Sequence, residues 1–304
     1  MTATTAPTAQ RPRSLNDVKG WFPSLDQVLF DRFLTRQGRH EQRGDLLEMG
    51  VYLGKSAIFT AAYLHEGERF TVCDLFDADA PDERNAAEAR KSYATLTRTA
   101  FEQNYLAFHD ELPRVIQGPT SVVPGRVDPD SCRFVHVDAS HLYEHVAGDI
   151  DTARTALAPG GLVVLDDFRS EHTPGVAAAV WEAVFNRGLR PVCLSTQKLY
   201  GTWEDPGPLQ DELLADEAWR SATHTSVQEI AGRRVLRFSG KPPHPAAPRS
   251  RYAEGPRESS PVPAPSSGSA APGRPGPSPV RRLAADVLPP VVTRAIRRRR
   301  RPTG

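Results

Sequence analysis

The chain has 304 residues, and what it lacks removes several classes of protein. It has only three cysteines, Cys73, Cys132 and Cys193, each in or beside an apolar segment and none at metal-ligand spacing. That pattern excludes a disulfide scaffold or a zinc module and reads as buried thiols in a reducing compartment. No apolar run reaches the roughly 18 to 20 residues of a membrane span, and the amino terminus, MTATTAPTAQRPR, lacks the apolar stretch of a secretion signal. Cytoplasm is the expected location. No internal repeat is visible.

Lysine is absent from Pro243 to Gly304, where twelve arginines against three acids leave a balance of +9 and fourteen of the 28 prolines gather. Since the whole chain is +1, the first 242 residues carry −8. The near-neutral total hides an acidic folded part and a basic extension too poor in large apolar residues to fold. The expected organisation is a disordered amino terminus (1–13), one domain (14–240), a Pro-rich disordered linker (241–279) and a basic tail (280–304). Pro289 and Pro290 would divide that tail into short amphipathic helical turns. Arg297 to Arg301 beside a small apolar face suit weak contact with an anionic membrane surface. Nonspecific nucleic-acid contact and a solvated tail are the alternatives, and no specific nucleic acid is expected.

Between 14 and 240, short apolar runs alternate with longer amphipathic ones. Strands are expected at 46–49, 70–74, 114–116, 134–138, 161–166, 190–195 and 233–238. Helices are expected from Ser24, as N-cap, and near 55–65, 83–107, 143–157 and 174–187. Fully apolar strands separated by helices imply an α/β fold, a parallel sheet covered on both faces, with ligands beyond the carboxyl ends of its strands. The residues to watch are therefore Glu48 to Gly54, Asp74, Gly118 to Ser121, Asp138 to His141, and Asp166 with Asp167.

The stretch DLLEMGVYLGKSA (45–57) ends in Gly-Lys-Ser, and GLVVLDDF (161–168) closes on two aspartates, so the pair mimics a nucleotide triphosphatase. The mimicry fails on spacing. A phosphate loop separates its glycines by four residues, but Gly50 and Gly54 are separated by three, with Met49 where the first glycine belongs. Glu48 would also repel a polyphosphate. Glu48-x-Gly50-x-x-x-Gly54 suits a cationic ligand instead, and Asp74, ending the second strand, is placed to accept from ribose hydroxyls or to cap a turn.

With LLEMGVYLGKSA, the acid in TVCDLFD, and the run FVHVDASHLYEHVAGDIDTARTALAPGGLVVLDDF, residues Leu15 to Phe238 resemble the class I methyltransferases that use S-adenosylmethionine. The nearest branch is the bacterial metal-dependent O-methyltransferases of small molecules, including natural-product sugars. The resemblance implies a Rossmann-like fold, a seven-stranded sheet of order 3-2-1-4-5-7-6, with an antiparallel seventh strand supplied by RRVLRF. It implies cofactor contacts from Glu48, Gly50, Gly54, Asp74, Gly118 and Ser121, and Mg2+ held by Asp138, Asp166 and Asp167. Three carboxylates at neighbouring strand ends suit a hard divalent ion that acidifies a hydroxyl; helix capping and structural hydrogen bonding are the alternatives.

His141, three residues past Asp138, is the expected base, with Asp138 beside it, or else a loop-fixing histidine. His136 reads as a satisfied core histidine, and Lys55 and Ser56 as capping or solvent-facing. Trp21 and Phe22 are expected to cover the cofactor, line an acceptor pocket or pack in the core. The expected reaction is methyl transfer to a hydroxyl of a small molecule. An inactive binding protein and a hydroxylation enzyme on the same fold are the alternatives.

Overall fold

A computed structural model of the chain describes residues 11–92 and 95–253, and side chains for these except 88–92. All of them fall within one unit, Met1–Gly255. Residues 1–10 of the expected disordered amino terminus, most of the expected linker and the whole basic tail lie outside the described residues.

The chain enters through a 3-10 turn, Leu15–Asp17, and then α1, Ser24–Arg39. Pro23 rather than Ser24 stands at the N-cap, so the helix starts one residue earlier than the side chains imply. Its apolar residues recur at helical spacing, and Leu25, Val28, Leu29, Phe30, Phe33 and Leu34 are all buried, at roughly 1.5 to 3 kcal/mol each.

Then follow β1 (Asp45–Met49), α2 (Lys55–Ala61), β2 (Phe70–Asp74), α3 (Glu83–Ser92), α4 (Arg98–Tyr105), β3 (Arg114–Gln117) and β4 (Cys132–Val137). After them come α5 (Tyr143–Ala156), β5 (Leu157–Leu165), α6 (Pro174–Asn186), β6 (Arg190–Leu194), β7 (Leu199–Thr202), α7 (Gly207–Ala215), α8 (Glu217–Ala222), β8 (His224–Ile230) and β9 (Arg233–Ser239). The span expected as one helix, 83–107, is two. Thr97 starts the second, accepting the Ala100 N–H as an N-cap.

The sheet runs β3-β2-β1-β4-β5-β7-β6-β9-β8. Its first seven positions have the expected order, 3-2-1-4-5-7-6, with β1 to β5 parallel and β7 antiparallel to both neighbours. The antiparallel strand 7 is not RRVLRF but Leu199–Thr202, four residues that pair directly with β6 in a tight hairpin. RRVLRF lies in β9, outside β6 and parallel to it, and β8 closes the sheet as a ninth strand. Periodicity could not separate these candidates, because β7 is short and buried throughout while β9 is longer and apolar enough to read as the last strand.

Two apolar layers cover the sheet. One face packs under α1 and α2 through Phe30, Phe59, Phe134, Val164 and Tyr200. The other packs under α5 and α6 through Val135, Val137, Val163, Leu165, Ile150 and Val180. Because side chains alternate along a strand, each residue's face follows from the register. The pairs Glu48↔His136, His136↔Val164 and Val164↔Tyr200 put those four on the α1 side.

The expected linker begins at 241, yet residues 241–253 run along the domain. Ser250 is buried and donates to the Pro12 carbonyl, the Arg251 N–H donates to the Ala107 carbonyl, and Arg11 lies over the Tyr252 ring. Proline removes donors but leaves the chain able to lie extended against a surface, which composition does not reveal.

In α5, Asp149 is 2% exposed, takes a hydrogen bond from Thr120 and has Oδ2 buried without a partner. Burial pushes its carboxyl up to about 6. A raised carboxyl stabilises the fold fully below its unfolded value near 4, and that contribution is lost as pH rises to about 6. Asp149→Asn is therefore expected to raise Tm at pH 8, by the equivalent of up to about 3 kcal/mol, with the gain vanishing toward pH 4; thermal melts across pH measure it.

Candidate active site

The loop after β1 answers the question raised by Gly-Lys-Ser. Lys55 Nζ reaches back to the Gly20 carbonyl at 3.3 Å, and Ser56, buried, donates to Glu48 Oε1. Both side chains are spent inside the protein, so neither has the outward role it would take on a phosphate. Gly50 sits at φ +84°, and a β-carbon there would lie 2.0 Å from the Asp138 carbonyl oxygen. What passes close to this glycine is the backbone after β4, so its bareness lets two strand ends meet.

Asp74, at the end of β2, ties down the same loop. Its Oδ2 accepts the Val51 and Tyr52 N–H groups at 2.7 and 2.9 Å, and Oδ1 accepts that of Phe76 at 3.1 Å. Burial raises this carboxyl despite those hydrogen bonds. Backbone amides thus take up most of the about four acceptor sites that a carboxylate offers. Gly118 follows β3 and donates its N–H to the Asp74 carbonyl, while Ser121 is exposed on a 3-10 turn, Thr120–Gly125. Trp21, 71% exposed, stacks on Tyr52 of the loop, with ring centroids 5.9 Å apart. Phe22 is core, edge-on to Phe30 and Phe59.

Beneath the loop, the register lines up a buried polar row. Glu48 is fully buried. Its Oε1 meets His136 Nδ1 at 3.0 Å, and its Oε2 has no partner among the described residues. Glu48 thus turns into the core instead of toward a ligand. His136 Nε2 lies 3.5 Å from the Lys198 ammonium and 3.7 Å from Asp166 Oδ2. Lys198, also fully buried, makes an ion pair with Asp166 Oδ2, while Asp166 Oδ1 accepts the Asp167 N–H at 2.7 Å. Periodicity does not single out this lysine, because the four-residue strand that follows it carries too little pattern. Register supplies the missing signal: Leu165 pairs with Leu199, which puts Asp166 and Lys198 opposite one another.

Asp138 and Asp167 occupy different environments. Burial pushes Asp138 up to about 6, with Asp167 and Glu48 adding to the rise and the Lys198 charge opposing it. Asp167 stands in the left-handed region at φ +53°, an uncommon state for a residue with a side chain and a usual mark of a constrained site. Its Oδ2 lies 3.0 Å from His141 Nε2, and its Oδ1 accepts from Ser170 at 2.8 Å. Burial works against its ionisation, but His141 and Ser170 hold the carboxyl below its usual range. His172 lies edge-on to His141 with ring centroids 6.2 Å apart. Tyr143 donates to Glu182, and His145 bridges Ser140 and Asp82, so both fasten the surroundings.

The three aspartates expected to hold Mg2+ are not gathered on one point. The donors that cluster are His136, Asp138 and Asp166, whose ligating atoms lie within 4.8 Å of one another, while Asp167 faces His141. Lys198 sits among the cluster, in contact with Asp166 and near His136. A double and a single positive charge about 4 Å apart repel by roughly 8 kcal/mol at an effective permittivity of 20. As arranged, the donor set does not fit a divalent ion.

A sheet in this order, with a glycine loop after β1 and acids ending β2 and following β4 and β5, has the Rossmann-like arrangement of the class I methyltransferases. Residues 47–168 match the family model of a methyltransferase domain. Among solved structures, the chain is similar to the O-methyltransferase NovP at 20% identity, over 58% of this chain and 78% of that one, with a TM-score of 0.46. It is also similar to CalS11, a TDP-rhamnose 3'-O-methyltransferase of calicheamicin biosynthesis, at 19% identity over 60% and 80% of the two chains, TM-score 0.41. TomG from Streptomyces achromogenes, an O-methyltransferase involved in tomaymycin synthesis, is 16% identical over 57% and 78%, TM-score 0.37. No curated protein matches the chain.

Gly50→Ala forces a β-carbon into the Asp138 backbone and is expected to lower stability by at least about 3 kcal/mol in urea unfolding. Gly67→Ala, at φ +83° with nothing within 4 Å, is the control and should cost about 1 kcal/mol.

Proposed function

We propose that the protein transfers a methyl group from S-adenosylmethionine to a hydroxyl of a small molecule, with Asp138 and the His141–Asp167 pair handling the acceptor proton. The observation that carries this reading is the contact of Gly50 with the Asp138 backbone, which puts the cofactor loop and the acid after β4 side by side. The Val51–Gly54 loop and Asp74 hold the cofactor, with Gly118 and Ser121 bordering it. S-adenosylmethionine supplies a methyl group on a positive sulfur, ready for in-line displacement.

The chain must do the rest. A neutral hydroxyl attacks poorly, so its proton has to leave as the carbon–oxygen bond forms and the carbon–sulfur bond breaks. His141 takes that proton, and Asp167, held ionised and bonded to the ring, orients it and stabilises the imidazolium that forms. Asp138 accepts the hydroxyl hydrogen bond and aims the oxygen.

Calorimetry with S-adenosylhomocysteine tests the cofactor, and mass spectrometry of an acceptor panel of glycosides and phenols tests the reaction; saturable binding and gain of one methyl are expected. Absence of binding, or a gain of oxygen, overturns the reading. His141→Gln should lower kcat about 10²-fold with S-adenosylhomocysteine affinity unchanged. Because Asp138 must be ionised, kcat/KM should rise as pH increases through about 6 and be lost below it, and Asp138→Asn should remove that limb.

A further inference from the structure

The β6–β7 hairpin holds Lys198 under the acceptor site. Ser195 Oγ accepts the Lys198 N–H at 2.9 Å and the Gln197 N–H at 3.3 Å, and the Ser195 N–H returns to the Lys198 carbonyl. Across the gap, the Arg169 N–H donates to the Gln197 carbonyl and its guanidinium to the Ser195 carbonyl, so the turn is clamped to the loop that follows Asp166 and Asp167. The lysine stem passes into the core, and its ammonium emerges against Asp166 and His136.

The hydrogen-bond directions agree around this point. A carboxylate only accepts, so contact with Glu48 assigns the proton of a neutral His136 ring to Nδ1 and leaves Nε2 as an acceptor turned toward the ammonium. Ser56 donates to the same Glu48 oxygen. Lys198 thus meets one carboxylate and one imidazole lone pair, the donor types a metal would use, and a buried ammonium persists only where it is paired in this way.

We propose that Lys198 is the resident cation of the acceptor site: it takes the place of a divalent ion between Asp166 and His136 and keeps the carboxylates beside the acceptor in place. This rests on the methyltransferase reading and assigns Lys198 a positioning role. A dication and this ammonium compete for the same two donors, so removing the ammonium should open a metal site that the native chain does not present.

The test compares wild type, Lys198→Met and Lys198→Met/Asp166→Asn. Each is checked for S-adenosylhomocysteine binding by calorimetry and titrated with Mn2+ followed by electron paramagnetic resonance. Wild type is expected to bind S-adenosylhomocysteine and leave Mn2+ free. Lys198→Met should bind Mn2+ at least about tenfold more tightly than wild type, and Asp166→Asn should abolish the gain.

Wild type that binds S-adenosylhomocysteine and also binds Mn2+ as tightly as Lys198→Met overturns the inference alone. Folded Lys198→Met that takes up no Mn2+ does the same. Failure of wild type to bind S-adenosylhomocysteine overturns the underlying reading. Should Lys198→Met not fold, Asp166→Asn in the native background decides. No effect on the Mn2+ titration agrees with the inference, and loss of a native Mn2+ signal defeats it.

Discussion

The meeting of Gly50 with the backbone of Asp138 is the constraint on which the site depends. It is made possible by a residue without a β-carbon in a left-handed conformation, and it sets the ends of β1 and β4 against each other. Asp74 then finds the Val51 and Tyr52 amides within reach, and Asp138 comes to lie beside that loop. Any side chain at position 50 would push apart the two halves of the site.

The second organising feature is the polar row under α1. Glu48, His136, Lys198 and Asp166 share one face because parallel and antiparallel pairing carry the same alternation from β1 across β4 and β5 to β7. Buried charges are costly, and this row meets the cost by pairing: Lys198 with Asp166, and His136 with Glu48. Phe30 covers it edge-on to His136, which excludes water and strengthens each pairing. At the opposite end of β4, Arg133 is buried on the same principle, forked onto Glu68 and bonded to Gln37.

The two acids that adjoin on β5 show how little a residue type says by itself. Asp166 and Asp167 are neighbours in a motif that reads as a pair of metal ligands. The left-handed turn at Asp167 sends its carboxylate to His141 and Ser170, while Asp166 stays with the lysine. One backbone dihedral separates the partner of Lys198 from the partner of His141.

Much of the fold was legible from the sequence by itself. The alternation of buried strands and amphipathic helices, the glycines after the first strand and the acids at or just beyond strand ends all follow from local periodicity, and so did the order of the first seven strands once the family resemblance was drawn. The spacing of Gly50 and Gly54 was enough to set aside a phosphate loop. What remained hidden depended on pairing between distant segments. A four-residue strand carries too little pattern to declare itself, so the hairpin that delivers Lys198, and the displacement of RRVLRF to the ninth-strand side of the sheet, appear only when β5, β6 and β7 are hydrogen-bonded. The direction in which Glu48 and Asp167 point was likewise decided by register and turn conformation, because sequence specifies which groups stand at a strand end and tertiary structure specifies what each of them faces.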